Sequence, residues 1–167
     1  MQEEYISEGI VLNLESNGDL DLKISLLTEK FGKMIAKVKS AKKITSKLRG
    51  HLEPASLVIA RIVFKRNFQL VDVLIKKKLN LNFWDLNLLS KILPEMEPEE
   101  KLYFKLKNNN FNWFDILKIL GWDPKEAKCF NCGKKNPNVF NIDSQEFVCL
   151  DCSSHIFKNF KNELIYL

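Results

Sequence analysis

Apolar and polar positions change their period once along the chain, near residue 79. Before it they repeat every second residue. Ile10, Leu12 and Leu14 alternate with other residues, and Leu20, Leu22, Ile24 and Leu26 alternate with Asp19, Asp21, Lys23 and Ser25. Strict alternation predicts strands with one buried face. Asn17-Gly18 separates the two segments and reads as a hairpin turn, because both residues tolerate positive φ. A third strand is predicted where Lys33, Ile35, Lys37 and Lys39 alternate with Met34, Ala36 and Val38, with the lysines on one face. Leu57–Phe64 and Phe68–Ile75 supply two more strands, joined by the polar turn Lys65-Arg66-Asn67. Lys76-Lys77-Lys78 reads as a polar strand end that discourages edge pairing.

Five short strands in so short a stretch suggest a small antiparallel barrel, which closes its own edges. The OB-fold is the five-stranded version, and such folds hold single strands in a basic groove. From residue 80 the spacing becomes helical. Trp84, Leu88 and Ile92 are four apart, with Leu81, Leu89 and Leu93 beside them, and Pro94 ends the helix. Pro98-Glu99-Glu100 opens a second helix with the stripe Leu102, Tyr103, Leu106; Pro98 suits its first helical position. Trp113, Phe114, Leu117 and Leu120 mark a third, which Gly121 ends. Ile156, Phe157, Phe160, Leu164 and Ile165 predict one terminal helix. The fold class is therefore α+β, with an OB-fold barrel over residues 1–79 and a reduced helical domain over 80–167.

The helical domain carries four cysteines, Cys129-x2-Cys132 and, after 16 residues, Cys149-x2-Cys152. A two-residue gap lets both thiolates of a pair meet one ion, and two such pairs complete a tetrahedral shell. The predicted ligands are Cys129, Cys132, Cys149 and Cys152, holding one structural zinc ion in a finger over about residues 127–154. Iron is a minor alternative for the same ligands. His155 lies three residues beyond and reads as an exposed or capping residue, because four cysteines already close the shell. Disulfides find no support, since Met1–Ile10 carries three glutamates and no apolar core of a secretion signal.

Charge adds a partner class. The chain has 167 residues, 46% hydrophobic and 28% charged, the composition of a folded protein. Its apolar runs are too short to span a membrane. The formal net charge is +5, yet eight basic residues and no acid lie between Lys30 and Arg49, so the remainder is net acidic. A local field of one sign recruits polyanions, nucleic acid first among them. The candidate contacts are Lys33, Lys37, Lys39, Lys42, Lys43, Lys47 and Arg49, with Tyr5, Phe31, Phe64 and Phe68 available for base stacking. Catalysis finds little support. No glycine-rich phosphate loop occurs, His51 has no triad context, and Asp19 and Asp21 fit a strand's solvent face better than a paired-carboxylate site. No catalytic residue and no small-molecule substrate are expected.

Several segments, in this order, are similar to the RecO family of bacterial recombination mediators. They are Glu8-Gly9-Ile10-Val11-Leu12, Leu22 to Lys33, and Lys39-Ser40-Ala41-Lys42-Lys43, then Ser46-Lys47-Leu48-Arg49 and Leu52-Glu53-Pro54. Ile116 to Pro124, the first cysteine pair with Gly133, and Phe147-Val148-Cys149-Leu150-Asp151-Cys152 continue the likeness. The resemblance implies an OB-fold followed by a helical domain with the finger, binding to single- and double-stranded DNA, and annealing of complementary strands. It also implies work with RecR and with the C-terminal tail of single-stranded DNA-binding protein (SSB) to load RecA, in the RecF pathway of DNA repair. No enzymatic turnover is implied, and the location implied is the bacterial cytoplasm, at the nucleoid. Two departures stand out. Ser40 occupies a position where the family usually has Gly, so a local backbone difference is expected there. The helical region is short, which bears on the SSB and RecR contacts. A zinc-ribbon module that binds RNA or a protein is the alternative, and a metal-dependent nuclease would need an open metal position or a carboxylate cluster.

Overall fold

The computed structural model describes residues 3–41, 52–156 and 164–167. Five strands, β1 (Glu3–Asn17), β2 (Asp21–Thr28), β3 (Gly32–Val38), β4 (Ser56–Phe64) and β5 (Phe68–Lys78), close into a barrel in the order β1-β2-β3-β5-β4. The α+β class and the five-stranded N-terminal barrel are as expected. Hairpins pair β1 with β2, β2 with β3, and β4 with β5. β1 also pairs antiparallel with β4, and the Lys37–Gln69 bridge joins β3 to β5. Gly18 supplies φ +79° in the first turn, as its place after Asn17 predicts.

The alternation in β2 and β3 holds: Ile24, Leu26, Met34, Ala36 and Val38 fill the barrel with Val58, Ala60, Ile62, Leu70 and Val73. Leu20, expected in the same stripe, lies in the turn and is exposed. β1 departs more sharply. A register shift between Val11 and Asn13 breaks its alternation, so Val11 and Leu14 join the barrel core. Ile10 and Leu12, expected on the same face as Leu14, are fully buried outside that cluster, on a strand that the first helix contacts. One extra residue in a strand swaps the faces beyond it. The lysine run is also not an edge: Lys77 and Lys78 pair with Leu57 and Ser56, and Lys76 and Lys78 make ion pairs with Glu8 and Glu53.

Three helices follow, α1 (Phe83–Ile92), α2 (Glu100–Lys107) and α3 (Trp113–Ile119). Asn82 caps α1 by accepting from the Trp84 and Asp85 amides, and Asn112 caps α3 in the same way. α1 buries Leu86, Leu88, Leu89 and Ile92, whereas Trp84, expected on that stripe, is exposed. Glu99 is the N-cap of α2, which puts Pro98 just outside the first turn instead of within it. Gly121, at φ +98°, terminates α3 as expected.

The compact units of the chain are Met1–Asn110 and Phe111–Leu167. The expected boundary at 79/80 marks the change from strand to helix but falls inside the first unit. Two connections at Ser90 hold α1 to the barrel. Lys33 Nζ donates to the Ser90 carbonyl at 3.0 Å, and Ser90 Oγ donates to Ser25 Oγ at 2.8 Å. The segment after α1 then lies along β3, where the Met96 amide donates to the Lys33 carbonyl. Gly32 makes that approach possible: a Cβ there would fall 2.1 Å from the Glu97 carbonyl oxygen, and its φ is +68°.

The second unit holds α3, a three-stranded sheet in the order β7-β6-β8, and the helix α4 (Leu150–Ile156). The strands are β6 (Val139–Asn141), β7 (Glu146–Val148) and β8 (Leu164–Tyr166). Phe140 is fully buried and stacks against Trp122 and Phe147 with ring centroids 5.2 and 5.0 Å apart. The predicted single terminal helix is corrected here. Leu164 and Ile165 belong to β8 and pair with Asn141 and Phe140, because the sheet offers a backbone partner that helical spacing in the sequence does not reveal. Phe157 and Phe160 lie outside the described residues. Among the described residues, no helix is long and apolar enough to cross a membrane.

Candidate metal centre and nucleic-acid interface

The four cysteines converge as their spacing predicts. All four Sγ atoms lie within 4.8 Å of one another. The first knuckle is a tight turn in which the Cys129 amide donates to the Lys134 carbonyl and the Gly133 amide to the Cys129 carbonyl, with Gly133 at φ +72°. The second pair straddles the start of α4, so one helical turn brings Cys152 back beside Cys149. Cys132 Sγ and Cys149 Sγ are 3.8 Å apart. A tetrahedral shell with Zn–S bonds of about 2.3 Å has S···S edges of about 3.8 Å, which the Cys132–Cys149 pair matches. The donor set is wholly sulfur and fits zinc or iron, and Asn131 Nδ2 donates to Cys152 Sγ at 3.3 Å. Without an ion, four thiolates cannot share this space. Burial works against the Cys129 thiolate, but backbone amides of Cys149, Cys132 and Asn131 outweigh it and hold the thiol down to about 6. Asn131 favours the Cys152 thiolate, yet the neighbouring sulfurs of Cys149, Cys132 and Cys129, with burial, push it up to about 12. His155 is exposed, and the cysteine cluster does not include it.

The barrel presents a shallow cleft of about 320 Å³ where β2 and β3 meet the β1–β2 and β4–β5 turns. Asn17, Lys23, Ile35, Lys37, Asn67 and Phe68 line it, with Glu95 from the segment after α1. Phe68 alone of the four aromatic candidates reaches the cleft. Tyr5 packs edge-on against both Phe31 and Phe68, with centroids 5.2 and 5.4 Å apart, and these rings pack on the barrel core. Phe64 stacks on Phe68 at 4.9 Å.

The predicted lysines separate into three groups. Lys37 faces the cleft and pairs with Asp21 at 2.8 Å, while Lys39 is exposed. Asp21 also accepts from the Ser40 amide, and these contacts, that of Lys37 first, hold its carboxyl below the usual range. Lys33 is a correction. Its side chain lies on the expected face, but the segment after α1 covers that end of β3, so the ammonium is buried against the Ser90 carbonyl and serves as a tie to α1. Burial lowers its pKa. Lys42, Lys43, Lys47 and Arg49 lie outside the described residues. Around the cleft Lys23 pairs with Glu15 and Lys37 with Asp21, and Glu95 adds a third acid to its lining. Ser40, the Ser-for-Gly departure, adopts φ +52°, a conformation glycine takes without steric cost.

One cluster carries no sequence signal. Glu8 on β1 accepts from Lys76 of β5 at 2.6 Å, from Tyr103 Oη of α2 at 2.8 Å, and from Lys107 of α2. Burial alone would raise the Glu8 carboxyl, but the bonds from Lys107, Lys76 and Tyr103 outweigh it and hold it down to about 2. Burial, then the Glu8 contact, raises the Tyr103 phenol. The positions involved are 68 and 95 residues apart in the chain, which is why no local pattern shows them.

Comparison with known proteins agrees with this architecture. Residues 1–78 match the family model described as the N-terminal domain of recombination protein O. The chain is 28% identical, over 90% of its length, to the DNA repair protein RecO of Thermodesulfovibrio yellowstonii, and spans 70% of that protein. It is 25% identical, again over 90% of its length, to the DNA repair protein RecO of Thermoanaerobacter sp. (strain X514), of which it spans 72%. The DNA repair protein RecO of Caldanaerobacter subterraneus subsp. tengcongensis is 26% identical over 88% of the chain, which spans 70% of it.

Proposed function

Because the chain belongs to the RecO family, we propose that it is a non-enzymatic recombination mediator that binds single- and double-stranded DNA and anneals complementary strands. The observation that carries the reading is the cleft on the β2–β3 face, bounded by the β1–β2 and β4–β5 turns. That is the face with which OB-folds take oligonucleotides. Lys37 and Lys39, with Lys42, Lys43, Lys47 and Arg49 that follow in the chain, neutralise phosphates; Phe68 offers a stacking surface. Lys33 has no part in this, being committed to Ser90.

Two strands repel each other through their phosphates. A surface that neutralises both lowers that repulsion and raises their effective concentration, so annealing needs no nucleotide hydrolysis. Cys129, Cys132, Cys149 and Cys152 hold one zinc ion, which supplies a rigid support for the finger and no reactive position. Loading of RecA, with RecR and the C-terminal tail of SSB as partners, belongs to the same proposal by family likeness.

The test is annealing of two complementary fluorescent oligonucleotides without ATP. Acceleration that fades as salt rises is expected. No acceleration, together with selective binding of structured RNA, would replace the mediator reading with the RNA-binding one.

A further inference from the structure

Phe130 stands between the two cysteines of the first knuckle with 71% of its surface exposed. Among the described residues of its unit it is the outlier among the phenylalanines. Phe140 and Phe147 are buried against each other, Phe111 packs edge-on to Trp113, and Phe114 lies under Lys125. Among the described residues Phe130 has no ring or cation partner, yet its backbone is anchored, with its amide bonded to the Phe147 carbonyl at 2.9 Å. A large apolar side chain left in water on an anchored backbone gains nothing for its own fold.

The cations around it have the same character. Lys128 and Lys135 form an antiparallel bridge across the base of the knuckle, which puts two like charges side by side. Directly opposed like charges are destabilising. Both are exposed, and neither has an acidic partner among the described residues. Lys134 reaches Asp151 only at 3.6 Å, with both side chains well exposed, so that pair offsets little. An unpaired aromatic face beside unpaired cations is complementary to a nucleobase beside its phosphates.

We infer that the first cysteine knuckle is a second contact for single-stranded nucleic acid, in which Phe130 stacks on an unpaired base and Lys128 and Lys135 neutralise neighbouring phosphates. The inference rests on the reading of the chain as a nucleic-acid binder and adds a site outside the barrel. It gives the finger a role in selecting single strands, because bases within a duplex are already stacked.

The direct test uses the full, zinc-loaded chain, irradiated with a single-stranded oligonucleotide carrying 5-iododeoxyuridine, followed by peptide mapping. A cross-link at Phe130 is expected. Binding measurements on variants complement it, with zinc content as the check on folding. Phe130→Ala and Phe130→Leu should each weaken single-strand binding roughly tenfold, and Phe130→Tyr should retain it. Duplex binding should not change with Phe130. Replacing Lys128 and Lys135 by Ala should flatten the log–log salt slope by about 1 to 1.5. Cross-links confined to residues 3–78, with Phe130→Ala binding as wild type does, would overturn the inference and leave the barrel site standing. Absence of single-strand binding by the wild-type chain would overturn both.

Discussion

In the unit Met1–Asn110, apolar side chains from every strand meet inside a closed barrel, with Val11, Ile24, Leu26, Val38, Val58 and Leu70 among them. In the unit Phe111–Leu167, the cluster around the cysteines contains Cys129, Val148 and Cys149, with Cys152 packed against it. The barrel can be held by burial alone. The second unit buries Phe140, Phe147 and Ile165 in its sheet, but around the knuckles Val148 packs with the sulfurs alone, so the finger is expected to depend on a bound ion for what apolar area does not supply. The difference teaches where each unit's stability resides, and it sets how each should fail.

The largest effect separates the two units. Cys149→Ser, or a strong chelator, should remove the metal and with it about 10–16 kcal/mol of finger folding free energy. Hydrogen exchange read by mass spectrometry should then show the amides of Cys129, Phe130 and Ser153 unprotected while β1–β5 stay protected. Loss of barrel protection on chelation would break the comparison. Next in size is Leu26→Ala, fully buried in the barrel, which should cost about 2–5 kcal/mol in denaturant melts and leave zinc stoichiometry unchanged.

The smaller effect concerns the Glu8 cluster, which ties α2 to the barrel. Glu8→Gln leaves two cations without their shared anion and should cost about 1–3 kcal/mol at neutral pH. Its pH dependence has a definite sign. The folded carboxyl titrates at about 2 against an ordinary value of 4.5, so the stabilisation is complete above about 4.5 and is lost as pH falls towards 2. Wild type and variant should therefore converge over that window in urea melts run at a series of pH values. A constant difference down to pH 2 would mean that the ionised carboxylate is not what matters.

Much of this was legible in the sequence, for identifiable reasons. Alternation in β2 and β3 is strict, and each hairpin is local, so pattern and fold coincide. The cysteine spacing names its own site. What escaped depends on distant partners. The register shift in β1 sends Ile10 and Leu12 to the other face from Leu14, although all three fit one alternating stripe. Lys33 fits the basic stripe of β3, but Gly32 admits the chain after α1, and that segment buries it. Leu164 and Ile165 have helical spacing with Ile156, but a strand far back in the chain claims them. Phe130 carried no periodicity, and only its exposure set it apart.

The central claim is that the basic face of the barrel binds nucleic acid. The most direct measurement is fluorescence anisotropy of labelled single-stranded DNA across a salt series. It should compare the wild-type chain with a variant in which Lys37, Lys39, Lys42 and Lys43 are alanine, both verified as folded and zinc-loaded. The wild type should bind with a log–log slope of about −3 to −5, at about −0.7 per neutralised phosphate, and the variant should bind weakly with a flatter slope. Equal affinities and equal slopes for the two proteins would contradict the claim.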